Sequence, residues 1–101
     1  MLATKTKLYD TTLSELPSIL SRELKNHNYK ITYSTSSKII VNTPASIWSW
    51  GEEITIEFRT GDAATSITIS SDSKYQLIDW GKSNGNIDNV FLIIDKIVGK
   101  S

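Results

Sequence analysis

Cysteine is absent from the 101-residue chain, so a disulfide framework, a thiolate metal site and thiol redox chemistry are all excluded. Histidine occurs once. A zinc site would be short of ligands, and a nucleophile–histidine–acid triad would have only His27 to draw on. Excess charge of either sign is missing too: 11 basic and 11 acidic side chains cancel to a formal net charge of zero. That argues against a dedicated nucleic-acid binder, whose affinity comes mainly from Lys and Arg on phosphates, and against a polybasic membrane-surface module. No run approaches the roughly 20 apolar residues of a membrane helix. Residues 1–7 hold no apolar signal-peptide core. We expect one soluble, cytoplasmic domain over residues 1–101, large enough to bury a core without staples.

Hydrophobic residues make up 39% of the chain. Ser and Thr fill the gap, and Ile dominates the apolar set. β-branched side chains suit a half-buried pleated surface, which favours a sheet with one wet face over a helical bundle.

Residues 3–9 alternate Lys5, Lys7 and Tyr9 with Thr4, Thr6 and Leu8. They are expected to form an edge strand, where Lys is favoured. Thr12-Leu13-Ser14-Glu15 has a capping-box pattern. Leu13, Leu16, Leu20 and Leu24 follow at helical spacing, with Ile19 widening the stripe. Pro17 conflicts with a start at the Thr12 turn, because its ring meets the carbonyl of Leu13; either the helix starts at Ser14 or the Thr12 turn is distorted. Asn26-His27-Asn28 reads as the stop.

Four alternating segments come next. Tyr29, Ile31 and Tyr33 lie on one side of the first, Ile39 and Val41 of the second, Ile54, Ile56 and Phe58 of the third, and Ile67 and Ile69 of the fourth. Thr, Ser, Lys and Glu hold most of the alternate positions. Turns are read at Thr35-Ser36 and at Thr60-Gly61-Asp62. Repeated period-two alternation predicts an antiparallel sheet covered on one face.

Ile87, Val90, Phe91, Ile94, Ile97 and Val98 then share a helical stripe. Carrying it backward reaches Trp80, with Asp79 as N-cap; Ser83 or Asn84 is the rival cap. The whole predicts an α+β, two-layer fold of order β-α-β-β-β-β-α. It has a five-stranded antiparallel sheet with two helices on one face, an architecture of TATA-binding-protein-like or helix-grip-like kind.

All three tryptophans fall in two segments, Ile47-Trp48-Ser49-Trp50-Gly51-Glu52-Glu53 and Ser71-Asp72-Ser73-Lys74-Tyr75-Gln76-Leu77-Ile78-Asp79-Trp80-Gly81-Lys82. A hairpin through Gly61 brings Glu52 or Glu53 close to Ser71, so the two segments converge at one end of the sheet. Trp48, Trp50, Glu53, Lys74, Asp79, Trp80 and Lys82 are the candidate binding residues. The plainer account makes the indoles core fillers, the glycines turn formers, Asp79 a helix cap and Lys74 or Lys82 an ion-pair partner of Glu52 or Glu53. The functional account is a shallow site lined by Trp and framed by charge.

Ser49–Glu53 before a strand, Ser71–Lys74 after the next, and Gln76–Lys82 leading with Asn86 into a helix resemble a small bacterial domain family of unknown function. The specific part of the resemblance is these segments. It implies a stand-alone or accessory domain and supplies no activity.

No catalytic residue, metal or cofactor is assigned. Glu52 and Glu53, adjacent on a strand, point to opposite faces and cannot both reach one ion. No Gly-rich phosphate loop is present, and the expected wet face lacks stacking aromatics for RNA. The expected function is a non-enzymatic accessory or binding domain. The alternatives are a small-molecule or lipid carrier with a cavity between sheet and helices, and a homodimeric interaction module. The partner would be a protein, a second copy or a small molecule, with no role for nucleic acid or membrane.

Overall fold

A computed structural model describes residues 2–43, 52–72 and 82–99. The elements are β1 (Leu2–Tyr9), α1 (Leu16–Asn26), β2 (Lys30–Ser34), β3 (Lys38–Asn42), β4 (Glu53–Thr60), β5 (Thr65–Asp72) and α2 (Lys82–Gly99). The five strands form one antiparallel sheet in the order β1-β5-β4-β3-β2. The first strand in the chain therefore pairs with the last, and β1 is an edge as its lysines suggested. No helix of the described residues is long and apolar enough to cross a membrane.

Alternation decides which face is covered. Ile39, Val41, Ile54, Ile56, Ile67 and Ile69 are fully buried, while Thr55, Glu57, Thr68 and Ser70 occupy the opposite face. From the helical layer Leu16, Leu20 and Leu24 of α1 enter the core, as do Ile87, Val90, Phe91 and Ile94 of α2. Ile97 and Val98 are half-buried against it. This is a two-layer α+β domain: each helical stripe hides on the apolar face of the sheet.

Three local expectations are corrected. The capping box does not form: α1 starts at Leu16, with Glu15 at the N-cap and no side-chain cap bond. The Thr12 hydroxyl instead donates to the carbonyls of Gly61 and Asp62, at 3.2 and 3.1 Å. Starting at Leu16 places Pro17 in the first turn, where its missing N–H costs nothing.

Tyr33 does not share a face with Ile31. Ile31 pairs with Val41 but Tyr33 with Ile40, so Thr32 is an extra residue in a bulge. The insertion moves Tyr33 to the open face, where it is half exposed. Ile19, third, does not widen the core stripe: it is exposed and lines an outer groove between the helices.

The stop of α1 falls as read. The His27 N–H donates to the carbonyls of Glu23 and Leu24, both at 3.1 Å, and Asn28 takes a left-handed φ of 68°. At the other end of the chain, α2 already includes Ser83 and Asn84, so neither caps it. The Asp79 cap lies outside the described residues.

Candidate functional site

The strand register fixes one end of the sheet as a single row. Lys30 pairs with Asn42, Asn42 with Glu53, Glu53 with Asp72, and Asp72 with Leu2. Residues 44–51 connect the β3 and β4 ends of this row. Residues 73–81 leave it from β5.

The helix α2 begins at the same end. Lys5 binds Asp88 and Lys7 binds Asp95. Helix numbers thus rise as β1 runs away from the row, which puts Lys82 beside it. Both Trp-bearing segments are therefore anchored at one rim of the domain.

The anchors are well bonded. The Thr43 N–H donates to the Glu52 carbonyl at 2.9 Å, and the Glu52 N–H donates to Thr43 Oγ1 at 2.8 Å. This reciprocal pair extends the β3–β4 ladder by a step and closes the mouth of the 44–51 connection. The Glu52 side chain turns inward, only 3% exposed, and Ser71 is fully buried beside it. Ser71 Oγ donates to Glu52 Oε2 at 2.7 Å. A carboxylate so covered is stable only with close polar partners. This bond ties the start of β4 to the end of β5, at the two points where the Trp-bearing segments meet the sheet.

Glu53 is half-buried opposite Asp72. It is the candidate residue whose side chain the structure places at the rim. Lys82 is placed by its backbone as the first residue of α2. Trp48, Trp50, Lys74, Asp79 and Trp80 lie outside the described residues. The hairpin inference holds: β4 and β5 pair from Glu53–Asp72 to Thr60–Thr65, closed by Gly61 N–H to the Ala64 carbonyl at 2.8 Å. Of the two glutamates, Glu52 is the one that reaches Ser71.

Among the described residues no group of three or more His, Cys, Asp or Glu side chains is arranged to hold a metal ion. His27 is exposed at the end of α1, whereas Ser71 is fully buried, so the two do not form a nucleophile–base pair.

A second surface went unread in the sequence. An open groove of about 580 Å³ runs along the outer side of the helical layer, between Ile19 and Glu23 of α1, with His27 just past its end, and Leu92, Ile93 and Lys96 of α2. Its signal was present: Ile19 and Leu92 are the helical apolar residues that fall off the core stripes, and they are 36% and 58% exposed.

No protein-family model matches the chain, and no curated protein or solved structure compared with it does so either. The bacterial-domain resemblance continues to rest on Ser49–Glu53, Ser71–Lys74 and Gln76–Lys82 alone.

Proposed function

We propose that the chain is a non-enzymatic accessory or binding domain that engages its partner at the rim of the sheet. The observation that carries this reading is the common anchoring of the two Trp-bearing segments on the row Asn42–Glu53–Asp72, next to the start of α2. Trp48, Trp50 and Trp80 would supply contact area, since an indole joins a large apolar body to one hydrogen-bond donor. Glu53, Lys74, Asp79 and Lys82 would supply the charged frame. A rigid two-layer scaffold carrying such segments at one end is a common way to present a binding surface. The finer placement, a bacterial cytoplasmic protein with a TATA-binding-protein-like architecture, belongs to the same proposal and rests on the sequence.

The carrier alternative stands second. Leu20, Leu24, Ile56, Ile69, Ile87 and Ile94, all at 0% exposure, fill the space between sheet and helices. Two grooves, one between α1 and α2 and one beside Leu13, Leu16 and Val98, lie on the outside.

Trp48→Ala and Trp50→Ala test the first reading. The expected result is unchanged urea denaturation, together with loss of a protein retained by the unaltered chain in a pull-down. If each variant instead loses about 3–5 kcal/mol, as truncation of a buried Trp does, the indoles belong to the core and the reading fails. A thermal-shift screen of lipids, nucleotides and metabolites tests the carrier, because a ligand bound only by the folded state raises Tm.

A further inference from the structure

The two edges of the sheet are guarded unequally. The β2 edge is five residues long and is broken by the Thr32 bulge. A short, bulged strand resists pairing with another chain. The β1 edge has neither device. All eight residues Leu2–Tyr9 pair in unbroken register with β5, with no proline, glycine or bulge. Among the described residues no strand lies on its other side.

Its two lysines are also disarmed. A free edge lysine keeps a neighbouring chain away by its charge. Here Lys5 Nζ lies 2.7 Å from Asp88, and Lys7 Nζ lies 2.7 Å from Asp95 and 5.3 Å from the centre of the Tyr9 ring. Both lysines point to the helical side, so the strand's edge itself is clear. On its open face β1 shows Thr4 and Thr6, both exposed, and Leu8, which is 65% exposed.

We infer that β1 is a homodimer interface, pairing antiparallel with β1 of a second copy about a two-fold axis at Thr6. Two features favour a second copy over an unrelated strand. Antiparallel pairing of one edge with itself is isologous and closes at two chains. The register centred on Thr6 sets Thr6 against Thr6 and covers the exposed Leu8 with Thr4 of the other chain, β-branched and aliphatic contacts of the kind that stabilise strand pairs. The same register sets Lys5 against Lys7 of the second copy. That like-charge contact opposes pairing, and the Asp88 and Asp95 carboxylates that hold the two lysines within each chain offset it. The result is a ten-stranded sheet with its open face continuous.

The inference is independent of the Trp-bearing rim and is tested without it. Sedimentation of the full chain over a concentration series should show a monomer–dimer equilibrium. Amide hydrogen exchange supplies the second readout. In an edge strand alternate amides point away from the sheet and exchange fast; in the dimer all amides of residues 3–9 should be slow, and alternate ones should quicken on dilution. Thr6→Lys and Thr6→Glu should each weaken association about tenfold or more, since like charges then meet at the axis. An equimolar mixture of the two should restore it. A concentration-independent monomer overturns the inference. So does a dimer whose β1 amides keep alternating fast and slow exchange, or one that is indifferent to both folded variants.

Discussion

Thr65 is a buried hydroxyl that holds two elements together. Its Oγ1 accepts from the Leu13 N–H at 3.1 Å and donates to the Thr11 carbonyl at 2.9 Å, pinning the β1–α1 connection to the start of β5. Thr65→Val keeps the shape and leaves that N–H and carbonyl without this partner. We expect a loss of about 1–3 kcal/mol, read by urea denaturation. A second cluster is electrostatic: Tyr9 Oη donates to Asp95 at 2.7 Å, and Lys7 bonds both Asp95 oxygens. Burial pushes the Asp95 carboxyl up, but hydrogen bonds from Lys7 and Tyr9, with the Lys7 charge, outweigh it and hold the group below its ordinary range. Burial, and then the bond to Asp95 and its charge, push the Tyr9 phenol well above its usual value. Because the folded carboxyl titrates lower than the unfolded one, the cluster stabilises the fold above the ordinary carboxylate range. That contribution vanishes as pH falls through the folded value of Asp95. Asp95→Asn should therefore lower stability at pH 7 more than in acid, in denaturation curves taken across pH 2–7. The shared parity of Lys5, Lys7 and Tyr9 was visible in the sequence. That they face the helices was not, since two lysines on a strand normally mark the wet side.

At the scale of elements, helices and strands were legible where a side-chain period runs unbroken. The stripe from Leu16 to Leu24 and the alternation from Ile54 to Ile69 each report one buried face. Legibility failed where one residue serves a distant part of the chain. Thr12 reads as a cap, yet it bonds the β4–β5 turn, some fifty positions away. The Thr32 bulge leaves no local mark, because it depends on how β3 pairs. If Thr32 is an extra residue, deleting it should regularise β2 and leave Tyr33 on the open face. The expected cost is below about 1 kcal/mol, a Tm change of no more than about 4–8 °C, with Tyr33 still open to quenching or iodination. At the end of α1, the left-handed Asn28 accepts glycine: Asn28→Gly should hold or gain stability, whereas Asn28→Val should lose about 1–2 kcal/mol in the same assay.

For the molecule as a whole, the sheet is one-sided, and stability should follow that asymmetry. Ile56→Ala empties a fully buried position and should cost about 2–5 kcal/mol. Glu57→Ala, one residue along on the exposed face, should change stability by no more than about 0.5 kcal/mol. Urea denaturation of the pair checks this directly. The pairing of β1 with β5 joins the first strand of the chain to the last, and α2 packs beneath the pair. The rim and the guarded and unguarded edges are consequences of that closure. The meeting of Glu52 and Ser71, where the Trp-bearing segments leave the sheet, was deducible because a tight hairpin forces the two ends of its strands together. The outer groove between α1 and α2 was not, since it requires knowing that the helices lie side by side.

The sequence by itself determined the elements, their order, the fold class and the face that β3, β4 and β5 bury, because hydrophobic periodicity is a local record of which side meets water. Only the tertiary structure decided the strand order, the bulge that turns Tyr33 outward, the inward Glu52–Ser71 bond and the Lys–Asp pairs beneath β1. Each of these depends on a partner far along the chain. Period and composition carry no information about which distant residue a hydrogen bond or charge will find.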